Sequence, residues 1–157
     1  MAATDALKYG DVFFDAVRLG IGLYGYGAEG VSPALTVFGR VIRTARLETG
    51  ETVGYGGEYV ASGGETVATV ALGYADGLPR AYSGGYILIG GKRRKVIGRI
   101  CMDMCFSEAD ESVKAGDTAV FLGRQGNEEI TAEEIARKVG TIPYEILVGF
   151  KRIPLIR

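Results

Sequence analysis

Histidine is absent from this 157-residue sequence. That single absence excludes a Ser-His-Asp triad, a Cys-His pair and a histidine-based zinc site, and no metal site is expected. Proton transfer near neutral pH then falls to tyrosine, lysine, cysteine or a carboxylate of shifted pKa. With nine tyrosines in the chain, tyrosine is the leading candidate. Cysteine is almost as scarce. Cys101 and Cys105 make no disulfide framework, and as residues four apart on one strand they would lie too far apart to bridge. Neither has a histidine or a lysine cluster to activate it, so both read as core thiols. No apolar run approaches the ~20 residues of a membrane span. Met1–Asp5 has no basic stretch leading into an apolar one, so a soluble cytoplasmic chain is the expectation. Net charge is −1, and the densest basic run is the short Lys92–Lys95. A groove that tracks phosphates needs more positive charge than this, so nucleic acid is not expected as a partner.

Glycine, by contrast, is abundant: 25 residues, about twice the ordinary share of ~7%. Such a content marks turns, bulges and tight corners, the texture of barrels and sandwiches. Apolar residues make up 47%, enough for a buried core in a single domain spanning residues 1–157. Asp15–Gly27 reads as a short strand running into a glycine-rich turn. Leu35, Val37, Val41, Ala45 and Leu47 fall on one face at period two, which predicts one long strand bent at Gly39, although Phe38 and Ile42 interrupt the polar face. Further strands are predicted over 52–55, 66–72, 86–89, 95–101 and 118–122. One helix is well signalled: Thr131 as N-cap, Glu134 closing a capping box, Ile130 and Ile135 as a staple, and Gly140 just past the end. A second short helix or strand follows Pro143. The expected class is mostly β, a β-barrel-like domain with one or two short helices near the C-terminus.

Several motifs carry polar or aromatic residues at strand ends. In Gly54-Tyr55-Gly56-Gly57, the plain reading is a turn with an aromatic over the barrel end. The functional reading is a phenol that ligand or backbone can approach closely, because glycines flank it. Gly73-Tyr74-Ala75-Asp76-Gly77 is ordinary turn chemistry or else the rim of a pocket. Gly98-Arg99-Ile100-Cys101-Met102-Asp103 leads from an apolar strand into a carboxylate, solvated or paired. Arg18-Leu19-Gly20-Ile21 could be packing with an exposed arginine, and Tyr144-Glu145 after Pro143 could be a helix start.

Taken in order, VRLGIGLYG, VGYG, GYADG, GRICMD, TIPYE and a closing RIP resemble the C-terminal half of bacterial alanine racemases, from about Val17 to Pro154. The resemblance implies a fold-type III enzyme. In that arrangement an N-terminal α/β barrel holds pyridoxal 5'-phosphate, and a β domain packs head-to-tail over the barrel of a homodimer partner. It implies that Arg18 hydrogen-bonds the pyridine nitrogen, that Gly20 and Ile21 offer backbone donors to the cofactor phosphate, and that the Tyr144 hydroxyl reaches that phosphate. It implies that Tyr55 exchanges the α-proton on the L-face, that Met102 and Asp103 place the substrate carboxylate, and that Tyr74, Arg99 and Ile142 line the access channel. Arg18, Gly20, Ile21 and Tyr144 would serve their own chain's cofactor, and Tyr55, Tyr74, Met102 and Asp103 the neighbour's. The lysine that forms the family's Schiff base has no counterpart among Lys8, Lys92, Lys95, Lys114, Lys138 and Lys151, so a chain inactive by itself is expected. Leu19 and Met104 stand where many members have Pro and Gln, and Arg152-Ile153-Pro154-Leu155 lacks the usual second arginine. The expected reaction is interconversion of L- and D-alanine for cell-wall synthesis. The alternatives are a serine racemase cut from a membrane-anchored parent and a non-catalytic β-barrel interaction module.

Overall fold

A computed structural model describes residues 3–10 and 15–151. The chain forms two compact units, Met1–Thr36 and Val37–Arg157. In the first unit, the Thr4 hydroxyl accepts the N–H groups of Gly20 and Gly22 at 3.1 and 3.3 Å. Of the short strand and glycine-rich turn expected over 15–27, the turn forms and the strand does not, among the described residues. A single bridge residue at Val17 is followed by a 3-10 turn, Ile21–Tyr24. Four glycines between 20 and 27 leave too few side chains to pack an extended ladder there.

Among its described residues the second unit contains nine strands: β1 (Val37–Arg46), β2 (Thr52–Val53), β3 (Tyr59–Val60), β4 (Thr66–Val70), β5 (Tyr86–Ile89), β6 (Lys92–Ile97), β7 (Cys105–Ala109), β8 (Thr118–Gln125) and β9 (Glu128–Ile130). Two helices follow, α1 (Ala132–Val139) and α2 (Pro143–Gly149). The main sheet runs β1-β4-β7-β6-β5-β8-β9, and β1 also pairs with β8, so six strands close into an antiparallel barrel. Closure depends on β1. Its residues 37–40 pair with β8 and its residues 41–46 with β4, so the strand changes partner just beyond Gly39, where the sequence predicts a bend.

Inside the barrel, Ala68, Ser107 and Val96 stand in register as one layer, each fully buried. Phe121, Ile87, Leu88 and Ile89 are buried as well. Each such aliphatic residue contributes about 1.5–3 kcal/mol through burial. Outside the wall, Val53, Val67 and Ile97 form a smaller cluster with Leu47, Tyr59 and Phe106. This cluster seats the β2–β3 hairpin on the barrel.

The strand boundaries correct several sequence expectations. The strand expected over 52–55 stops at Val53, because Gly54 turns the chain at φ 76°. The strand expected over 66–72 stops at Val70, and the one expected over 95–101 is Lys92–Ile97. The latter ends at Gly98, where a Cβ would lie 2.6 Å from the Val53 carbonyl oxygen. The strands β3, β7 and β9 escape periodicity because each is only two to five residues long.

Helix α1 begins as expected, with Thr131 Oγ1 accepting the Glu134 N–H at 3.2 Å, and ends at Gly140 in a left-handed conformation. Only half of the capping box forms, however. The Glu134 carboxylate accepts instead from Arg93, at 2.6 and 3.0 Å, and Arg93 Nε also reaches Glu128 at 2.9 Å. A fork-shaped, charge-assisted pair outcompetes a single bond to a backbone N–H. No helix among the described residues is long and apolar enough to cross a membrane.

Candidate active site

Antiparallel register puts three strand ends at one rim of the barrel. Val70, the last residue of β4, faces Cys105, the first of β7, and Ile97, the last of β6, faces Phe106. The loops over 71–78 and 98–104 therefore emerge side by side. They are joined directly, since Tyr74 N–H donates to the Cys101 carbonyl at 3.0 Å and Ala75 N–H to the Met102 carbonyl at 2.9 Å. Gly73 makes this possible, because a Cβ there would lie 2.2 Å from the Met102 carbonyl oxygen. Asp76 turns out to be structural. Its Oδ2 accepts the Gly73 N–H at 3.0 Å and caps the Tyr74–Asp76 turn, which is the plain reading of that motif.

The hairpin carrying Tyr55 reaches the same place from outside the wall. Gly54 packs against the backbone of Arg99, and the Arg99 guanidinium lies 3.3 Å from where a Gly56 Cβ would be. Arg99 Nε pairs with Glu58 Oε1 at 2.7 Å. The segments bearing Tyr55, Arg99, Met102, Asp103 and Tyr74 are thus contiguous. Tyr55 is 73% exposed, Met102 54% and Tyr74 43%. Asp103 is exposed beside them.

Cys101 and Cys105 do not share a strand as expected. Cys101 N–H donates to the Met104 carbonyl at 2.8 Å, closing a turn, and Cys105 opens β7. Both are free and buried. Full burial pushes the Cys105 thiol well up, and the neighbouring Cys101 adds to the effect, so Cys105 is chemically quiet.

The remaining expected residues lie on other elements. Ile142 is the N-cap of α2 and Tyr144 lies in its first turn, both exposed. Arg18 and Gly20 are exposed and Ile21 is buried, all within the first unit. The Gly20 N–H is held by Thr4, whereas the Ile21 N–H has no partner among the described residues. The closing Arg152-Ile153-Pro154 falls outside the described residues. Glu58 and the glycine contacts at 73 and 98 were not legible in the sequence. No periodicity or motif marks a carboxylate that finds its partner 41 residues away.

A family profile described as "Alanine racemase, C-terminal domain" matches residues 34–156. The chain belongs to this family. An alanine racemase of Thermodesulfovibrio yellowstonii is 40% identical over 153 residues, covering 96% of this chain and 42% of the relative. A solved alanine racemase from Bacillus anthracis, with bound L-Ala-P, superposes with a TM-score of 0.89 at 34% identity, covering 96% of this chain and 42% of that one. A histidine racemase from Leuconostoc mesenteroides superposes at 0.79 with 30% identity, covering 87% of this chain and 39% of that one. The chain therefore spans about two-fifths of the length of the relatives it matches. Neither the serine-racemase nor the interaction-module alternative is favoured by these matches.

Proposed function

We propose that this chain, residues 1–157, is the C-terminal domain of a pyridoxal 5'-phosphate-dependent racemase that interconverts L- and D-alanine and supplies D-alanine to the cell wall. The observation that carries the reading is the meeting of the Tyr55, Tyr74 and Met102-Asp103 segments at one barrel rim in a member of this family. When bound, the cofactor supplies an electron-withdrawing ring that makes the substrate α-proton acidic.

The residues present fit such a group. Arg18 would donate hydrogen bonds to a ring nitrogen facing it. Ile21 offers to a phosphate a backbone N–H with no partner among the described residues, Gly20 a second one shared with Thr4, and Tyr144 an exposed hydroxyl. At the rim, the Tyr55 phenol takes and returns the α-proton on the L-face. Met102 and Asp103 orient the substrate carboxylate. Tyr74, Arg99 and Ile142 line the approach. Each rim serves the neighbouring subunit of a homodimer, and the cofactor-holding lysine comes from an N-terminal α/β barrel and not from any of the six lysines here.

The test is Tyr55→Phe in the full-length enzyme. It keeps the ring and removes one hydroxyl from an exposed residue, so folding is unaffected. Washout of the α-proton of L-alanine into deuterated buffer, followed by NMR, falls about 10²–10⁴-fold, and washout from D-alanine falls less. Equal loss from both enantiomers would reduce Tyr55 to an ordering role. No loss from either would remove it from the chemistry.

A further inference from the structure

We propose that Glu58, to which the family resemblance gives no role, is a positioning residue that holds the Tyr55 turn against the Met102-Asp103 turn by clamping Arg99. The inference rests on the reading of Tyr55 as the proton-exchanging phenol.

The Tyr55 turn is intrinsically soft. Gly54, Gly56 and Gly57 all sit at positive φ, at 76°, 77° and 61°, and glycine resists backbone rotation least of all residues. The flanking strands, β2 and β3, are two residues each. Tyr55 does not fix itself, since it is 73% exposed and its hydroxyl has no partner among the described residues. A reactive phenol on such a turn would sample many positions, and misplacement by about 1 Å is enough to cost ~10²-fold in rate.

One side-chain tie opposes this. Glu58 directly follows the turn, and its carboxylate pairs with Arg99 Nε at 2.7 Å. Held there, the guanidinium lies over Gly56, 3.3 Å from where a Cβ would stand, so any other residue at 56 would crowd it. Arg99 leads within three residues into Met102, whose carbonyl anchors the Tyr74 loop. Among the described residues this is the only ion pair joining the Tyr55 turn to the 98–104 segment. Both partners are more than two-fifths exposed, and an exposed pair contributes little to global stability. Its effect is therefore local: it fixes where the phenol stands.

Glu58→Ala and Glu58→Gln, made in the full-length enzyme beside Tyr55→Phe, separate the possibilities. For Glu58→Ala, deuterium exchange of the amides at 54–57 rises about tenfold. The melting temperature moves by less than about 3 °C. kcat falls toward about 10²-fold with KM little changed, and α-proton washout from L-alanine suffers more than washout from D-alanine. Glu58→Gln keeps an oxygen acceptor for Arg99 Nε–H and loses less on every measure. Unchanged amide exchange in Glu58→Ala would refute the clamp. Raised exchange with unchanged kcat would refute its positioning role. If Tyr55→Phe retains full turnover, the phenol assignment fails, and the amide measurement still decides whether Glu58 orders the turn.

Discussion

Gly73→Ala isolates the contact that joins the two rim loops. Gly73 has φ −137°, extended backbone that alanine adopts freely, so the substitution carries no conformational penalty of its own. The cost is steric. The new Cβ would stand 2.2 Å from the Met102 carbonyl oxygen, 2.4 Å from its carbon and 2.5 Å from the Cys101 carbonyl oxygen. Carbon–oxygen contacts settle beyond 3 Å, so the Met102-Asp103 turn must retreat by about 1 Å. The same two carbonyls accept the Tyr74 and Ala75 N–H groups, and both bonds stretch as they retreat. Overpacking of this kind costs about 1–3 kcal/mol, and two strained hydrogen bonds place Gly73→Ala at about 2–3 kcal/mol. Thermal unfolding of this chain should then fall by about 5–10 °C. In the full-length enzyme, turnover should fall about 10²-fold, because Met102 and Asp103 move with the turn. Gly116→Ala is the matched control. Its φ is 97° with nothing within 4 Å of the new Cβ, so it costs about 1–2 kcal/mol of backbone strain and leaves turnover intact. The reasoning is refuted if Gly73→Ala melts and turns over like the wild type, or if Gly116→Ala loses as much activity.

Two further outcomes are expected. Asp110 accepts hydrogen bonds from Ser112 and Arg94, which hold its carboxyl well below the usual carboxylate range. A folded pKa below the unfolded one gives stabilisation that is fully present above the ordinary carboxylate pKa near ~4 and is lost as pH falls through the folded value. The stability gap between wild type and Asp110→Asn in urea should therefore be flat from about pH 8 to about pH 5 and shrink below about pH 4, and a gap that grows on acidification contradicts the pairing. Incubated alone with pyridoxal 5'-phosphate and borohydride, this chain should show no stoichiometric phosphopyridoxyl lysine by mass spectrometry, and one such adduct would place the cofactor lysine here after all.

The parts of the fold legible in the sequence are those written within a few residues. Thr131, Glu134 and Gly140 mark α1 because capping joins groups three or four positions apart. The period-two face of Leu35, Val37, Val41, Ala45 and Leu47 marks β1, and Tyr86–Ile89 is apolar enough to stand as a strand unaided. The site was legible as ordered motifs in a chain whose lack of histidine leaves proton transfer to groups such as tyrosine. In the first unit, apolar residues among glycines resemble a strand until the backbone is asked to pair.

By itself, the sequence determined the β class, the late helix and the family. Only the tertiary structure decided which carbonyl occupies the space beside Gly73 and Gly98, why Glu134 leaves its capping box for Arg93, that β1 closes the barrel onto β8, and that Glu58 meets Arg99. The physical reason is separation along the chain. Capping and pleat alternation act between neighbours and leave a local signature. A carboxylate and a guanidinium 41 residues apart, or a glycine and the carbonyl 29 residues away that presses on it, leave none until strand register brings them together.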